Sequence, residues 1–329
     1  MLNYNDVIVD STAYNMVRLD ADENRISHAY LFISDDADYL RAFLLETARM
    51  LICLDDIEKN KNIMDRIQKN IHPDVHIYGF DENKVNVDSI SEICSLSQVS
   101  PFEADKKIFI INNFGKINEI AQNKILKTIE EPPENTYFII GASDISGIIP
   151  TIISRVKQIT LNLVSYDKIE SMLIDSGIDG VSAKICANCS GQSATFAEKI
   201  ARDKDFFTFF EKVISCFYEI NGSNDVFEYS SYFSAKNIDK NIFFDITILI
   251  ARDIMMIMSG KENLVICKNI IDKLRKIAVT LNINAITELI SLSIKSKEDL
   301  TFNANQTAVT DKFLFKLAEV KVKCRRLLA

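Results

Sequence analysis

The stretch Leu126-Lys127-Thr128-Ile129-Glu130-Glu131-Pro132-Pro133-Glu134-Asn135-Thr136-Tyr137-Phe138-Ile139-Ile140 joins the end of a helix to a strand. Upstream of it, Ile117, Ile120, Ala121, Ile125 and Ile129 fall within about half of a helical wheel at about 100° per residue, which predicts an amphipathic helix over Lys116 to Glu131. Pro132 and Pro133 stop that helix, because neither donates a backbone hydrogen bond. Tyr137 to Ile140 is apolar at consecutive positions, the pattern of a strand buried on both faces of a parallel sheet. The run Ile149-Pro150-Thr151-Ile152-Ile153-Ser154-Arg155 follows it.

Outward from this core, Tyr30 to Ile33, Val75 to Tyr78, Ile108 to Ile111 and Ile159 to Leu163 also read as strands, and Val87 to Val99 as a helix ending before Pro101. Strands alternating with amphipathic helices predict an α/β domain with a doubly wound, largely parallel sheet. Ile159, Leu161 and Leu163 alternate with polar residues, which puts that strand near an edge. After Leu163 the strand pattern ends. Ser165 to about Asp203 holds two candidate helices punctuated by Gly177, Gly180 and Gly191. Beyond Asp205 there are apolar stripes at helical spacing, among them Phe206, Phe209, Phe210, Val213 and Phe217, then Ile242 to Met258 and Leu264 to Ile294. The expected organisation is an α/β domain over 1–164, a small helical domain over 165–204 and an all-α domain over 205–329.

The 329 residues carry 38 Lys and Arg against 46 Asp and Glu, and the net charge of −8 disfavours a polyanion over most of the surface. Contact with nucleic acid is therefore local or borrowed from a partner. With 47% hydrophobic and 26% charged residues, the composition is that of a globular protein. Asp6, Asp10 and Asp20 near the start do not suit a signal peptide, and no apolar run reaches the roughly 18 residues of a membrane span. Seven scattered cysteines fit reduced thiols, so the expected compartment is the cytoplasm. Cys186 and Cys189 form a C-x-x-C without a second pair or a nearby histidine, which reads as a buried helical pair rather than a zinc or redox site. His72 and His76 are separated by Pro73 and read as strand-start residues. Glu130 and Glu131 are neighbours on a helix and point in different directions, so they are not an acid/base pair. Lys316, Lys321, Lys323, Arg325 and Arg326 read as a solvated basic face.

Leu126 to Arg155, with its LKTLEEPP-like helix end and its PTIxSR-like run, resembles the clamp-loader branch of the AAA+ proteins. His28-Ala29-Tyr30-Leu31-Phe32 is similar to that family's first strand, His72-Pro73-Asp74 to the start of its second, and Asn303-Ala304-Asn305 to the turn before its last collar helix. In this reading the motif residues are Leu126, Lys127, Glu130, Glu131, Pro132, Pro133, Pro150 and Thr151. The three parts become an AAA+ domain, a lid and an oligomerising collar.

The resemblance breaks where the family's ATPase members hold nucleotide. In place of the glycine-rich phosphate loop after the first strand stand Ser34, Asp35 and Asp36, with neither glycine nor lysine. Asn112 and Asn113 replace the acidic pair after the third strand, and no arginine follows Gly191 as a second sensor. Only Cys53 is left of the cysteine-rich zinc module between the first two strands. The resemblance therefore implies a subunit that binds no cofactor and hydrolyses no ATP itself, with ATP and Mg²⁺ held by its neighbours. It implies Ser154 and Arg155 as an arginine finger acting in trans. It also implies the family's partners: the clamp-loader ATPase subunits and the delta subunit in a pentameric ring and, through that ring, a sliding clamp and primed DNA, with no membrane. Two rival readings are a purely structural scaffold of an AAA+ ring and an active enzyme with an unrecognised nucleotide site.

Overall fold

The computed structural model describes residues 2–53, 60–80, 85–235 and 239–328. The chain divides into two compact units, Met1–Val164 and Ser165–Ala329.

The first unit opens with helices α1 (Asn5–Val9) and α2 (Thr12–Asp22), followed by strand β1 (Ala29–Ile33), α3 (Ala37–Ile52) and α4 (Asn60–Gln68). It continues through β2 (Val75–Tyr78), α5 (Val87–Ser97), β3 (Lys107–Ile111), α6 (Glu119–Glu130), β4 (Thr136–Ala142), α7 (Pro150–Ile153) and β5 (Lys157–Thr160). The strands form one parallel sheet in the order β2-β3-β4-β1-β5, with Leu31 opposite Ile140 and Phe109 opposite Phe138. β1, β3 and β4 lie inside the sheet, and β3 is buried along its whole length, which is why these strands are apolar at consecutive positions. One face presents Leu31, Phe109, Ile111, Phe138 and Ile140 to α5, α6 and α7. The other meets α3, where Phe32 and Phe43 have ring centroids 4.9 Å apart. Helices on both faces of a five-stranded parallel sheet of this order make the AAA+ fold.

Two expectations need correction here. β5 runs over Lys157–Thr160 rather than Ile159 to Leu163. Its register is set by pairing with β1, Phe32 against Ile159, and the last ladder bond runs from Leu161 N–H to Ile33 O at 2.9 Å. The chain has left the sheet by Leu163, which is exposed. It is an edge strand, as its alternation suggested. Helix α6 begins at Glu119, after a 3₁₀ turn over Phe114–Lys116, so Ile117 is buried but lies outside the helix.

The second unit is helical: α8 (Tyr166–Asp175), α9 (Gly180–Asn188), α10 (Ala194–Arg202), α11 (Phe206–Glu219), α12 (Ser223–Ala235), α13 (Lys240–Met258), α14 (Ile271–Ala278), α15 (Ile283–Thr301) and α16 (Gln306–Leu328). Three helices, not two, occupy the stretch before Asp203, because Ser193 caps a further one by accepting from Phe196 N–H. The stripe from Leu264 to Ile294 is not one helix: it is broken between α14 and α15, where Asn282 caps the second. Lys321 departs from the expected solvated basic face. It is 2% exposed, and its ammonium donates to the last carbonyls of α11, Phe217 O at 2.9 Å and Tyr218 O at 3.2 Å. Among the described residues no single helix is long and apolar enough to cross a membrane.

Candidate functional site

Asn118 starts α6 by accepting from Ala121 N–H at 2.9 Å. The helix then buries Ala121, Gln122, Ile125, Thr128 and Ile129. Ile120, expected on this face, is 73% exposed, since it lies about 140° around the wheel from the centre of the buried stripe at about 100° per residue. Its place inside is taken by Gln122, which is fully buried. Gln122 donates from its amide to Ile117 O at 2.8 Å and Gly147 O at 2.7 Å, and accepts from Ile149 N–H. Hydrophobic periodicity could not single it out, because a glutamine counts against an apolar face.

Those bonds anchor the approach to α7. Gly147 runs so close to Gly115 that a Cβ at 147 would meet Gly115 O at 2.0 Å, which explains the glycine at 147. Pro150 takes the first helical position, where its missing N–H costs nothing, and Ile152 plugs α7 into the core. α7 ends after one turn. Ser154 Oγ donates to Thr151 O at 3.0 Å, and Arg155 projects from the helix end.

The Arg155 side chain is held at two of its three nitrogens. Nη1 donates to Thr151 O at 2.9 Å and to Ser154 Oγ at 3.0 Å, while Nε pairs with Glu130 Oε1 at 2.6 Å. Its side chain is 40% exposed, and among the described residues Nη2 has no partner. The structure thus brings Glu130, Thr151, Ser154 and Arg155 together. Leu126 packs partly buried against the core, Lys127 is exposed, and Lys127 O accepts from Glu131 N–H where the helix stops before Pro132 and Pro133.

The β1–α3 turn is a separate place in the same unit. Only Ser34, Asp35 and Asp36 connect strand to helix. Asp36 is buried and its carboxylate accepts from Tyr39 N–H at 3.1 Å, while its own N–H donates to Ser34 Oγ at 3.2 Å. A helix N-terminus of this kind is an anion site when its N–H groups are open. Here the chain's own carboxylate sits on it, and there is neither the loop length nor the lysine to embrace a phosphate. These residues do not fit a nucleotide. Beyond β3, Asn113 is left-handed (φ 55°) and its amide donates to Gly79 O at 2.9 Å, so this side chain ties the segment after β3 to the one after β2.

Cys186 and Cys189 are fully buried at the end of α9, and burial pushes the Cys186 thiol up to about 12. Among the described residues no group of three or more His, Cys, Asp or Glu is placed to hold a metal ion. His76 lies within β2 and His72 just ahead of it. Of the stretch between Cys53 and His72, expected to lack a zinc module, residues 54–59 lie outside the described residues.

Residues 9–165 match the family model described as DNA polymerase III, delta subunit. The subunit delta' of DNA polymerase III from Bacillus subtilis is 25% identical over 319 residues, 93% of this chain and 94% of that protein. The subunit delta' from Haemophilus influenzae is 25% identical over 146 residues, 43% of this chain and 45% of its own length. A DNA polymerase III gamma-subunit-related protein from Thermotoga maritima superposes over 94% of this chain and 99% of its own, at 15% identity and a TM-score of 0.41. The strand order, not that superposition, carries the fold. The motif from Leu126 to Arg155, the family model and a relative of the same kind matched over nearly its whole length together support a DNA polymerase III clamp-loader subunit of the delta-prime type.

Proposed function

We propose that this chain is the non-hydrolysing member of a pentameric clamp loader, a pseudo-ATPase that lends Arg155 to the ATP site of an adjacent subunit. It thereby helps the ring load a sliding clamp onto primed DNA. The observation that carries this reading is the Arg155 guanidinium, seated by α7 at the surface with Nη2 free of partners among the described residues. A planar fork of donors beside a neighbour's phosphates stabilises the charge that develops during phosphoryl transfer, an effect of about 10³–10⁵ in rate where such fingers are best characterised. Asp36 on the N-terminus of α3 supports the other half of the reading, that ATP and Mg²⁺ belong to neighbouring subunits. In this assembly α8 to α10 act as the lid and α11 to α16 as the collar. The partners are the ATPase subunits and the delta subunit, in the cytoplasm.

The contacts of Arg155 with Thr151 O and Glu130 favour a second reading, in which the arginine only closes the end of α7 and the chain is a scaffold. Reconstitution with the cognate ATPase and clamp-opening subunits separates the two. Under the first reading, Arg155→Ala lowers DNA-stimulated ATP hydrolysis at least about tenfold while the mass of the ring is unchanged. Under the scaffold reading, turnover per ring stays at the wild-type value.

A further inference from the structure

We infer that Glu130 is a positioning residue for Arg155, an inference that rests on the finger reading above. Glu130 is the last residue of α6, where a carboxylate faces the negative end of the helix dipole and is out of place on helix grounds alone. Its position has a partner instead. Oε1 lies 2.6 Å from Arg155 Nε, although 25 residues of chain separate the two. Both side chains are about 40% exposed, so the pair adds little to stability. Its effect is geometric.

A guanidinium on a flexible stem samples many rotamers, and charge stabilisation by a finger requires one of them. Three oxygens restrict Arg155. Glu130 Oε1 holds Nε, and Thr151 O and Ser154 Oγ hold Nη1. This leaves Nη2, with both of its protons, as the edge offered outward. Glu130 grips the guanidinium from its own chain and never touches the nucleotide. Because the Thr151 and Ser154 contacts come from the turn that carries Arg155, Glu130 is, among the described residues, the one anchor supplied by another element. The two halves of the recognised motif thus form one device, with α6 aiming the arginine that α7 carries.

The test uses the reconstituted complex with Glu130→Ala, Glu130→Gln, Arg155→Ala and the Glu130→Ala/Arg155→Ala double variant, reading kcat and KM for DNA-stimulated ATP hydrolysis together with ring mass. Glu130→Ala is expected to lower kcat about tenfold with KM within about twofold of wild type, because aim and not nucleotide binding is lost. Glu130→Gln keeps an oxygen at the same reach and restores at least about half of the wild-type kcat. The double variant matches Arg155→Ala alone. If Arg155→Ala is impaired but Glu130→Ala turns over at or above the wild-type rate, or if Glu130→Ala costs as much in the Arg155→Ala background, the positioning role is wrong and the finger stands. A Glu130→Gln variant as slow as Glu130→Ala also overturns it. If Arg155→Ala itself loses nothing, the finger reading fails and this inference with it.

Discussion

Gln122 Oε1 and Ile149 N stand 3.0 Å apart, bridging the first turn of α6 to the residue that enters α7. With Ile117 O and Gly147 O on its amide nitrogen, this one buried side chain satisfies three backbone groups that sheet and helices leave open. Gln122→Ala strips all three of partners in a place water reaches poorly. The expected loss is about 2–4 kcal/mol in urea unfolding. Because the freed groups flank α7, the proposed finger role of Arg155 further predicts that turnover of the assembled complex falls as well. A variant as stable as wild type would show that these backbone groups find other partners.

The closed turn after β1 makes a prediction about ligand binding. Isothermal calorimetry with the isolated chain and Mg-ATP detects no binding at millimolar nucleotide. Asp36→Ala removes the acceptor of Tyr39 N–H and costs about 1 kcal/mol of stability, and still gains no ATP binding because no lysine or glycine loop is present. Saturable binding by either protein would contradict the geometry of Ser34, Asp35 and Asp36.

Lys321 gives a pH signature. Burial, helped by the charge of Arg325, holds its ammonium at about 8, below the ordinary value of 10.5. Between these pH values the unfolded chain keeps the proton that the fold has lost, so this group makes stability rise with pH through that window. Below about pH 8 the charge is present in both states and its full burial cost is felt. Lys321→Met has no such proton. Wild type should therefore gain on Lys321→Met by roughly 3 kcal/mol as pH rises from 8 to 10.5. A gap that does not change with pH would place the ammonium in contact with water.

Asp74 makes the opposite kind of case. Burial works to raise its pKa, but the N–H groups of Phe102, Glu103 and Ala104, at 2.6, 2.7 and 2.8 Å, outweigh that and hold the carboxyl below its usual 3.8. Its contribution is complete above that value and is lost as pH falls through the lowered one. Asp74→Ala should cost about 3 kcal/mol at neutral pH and release the loop over 102–104, read as faster amide exchange there. Unchanged exchange would mean the loop is held by other contacts.

Much of the α/β unit was legible in the chain, and the reason is local. β1, β3 and β4 are buried on both faces, so their apolar runs need no knowledge of neighbours. Pro132 and Pro133 end α6 by their own covalent structure. β5 was misread because an edge strand takes its register from β1, and backbone pairing does not depend on which of Ile159, Leu161 and Leu163 are apolar. Ile120 and Gln122 exchanged their expected places because burial follows the direction in which α6 meets the sheet, and a polar group is buried wherever partners wait for it. Lys321 followed the same rule at the end of α11.

By itself, then, the sequence determined the order of the five strands, the wording of the Leu126 to Arg155 motif and the chemistry missing at Ser34, Asp35 and Asp36, since each of these is a property of neighbouring residues. Only the tertiary structure decided that Asp36 sits on the N-terminus of α3, that Gln122 ties α6 to α7, and that Glu130 meets Arg155. Hydrogen bonds and ion pairs act over about 3 Å, and the crossovers of the sheet, not separation along the chain, bring these groups within that reach.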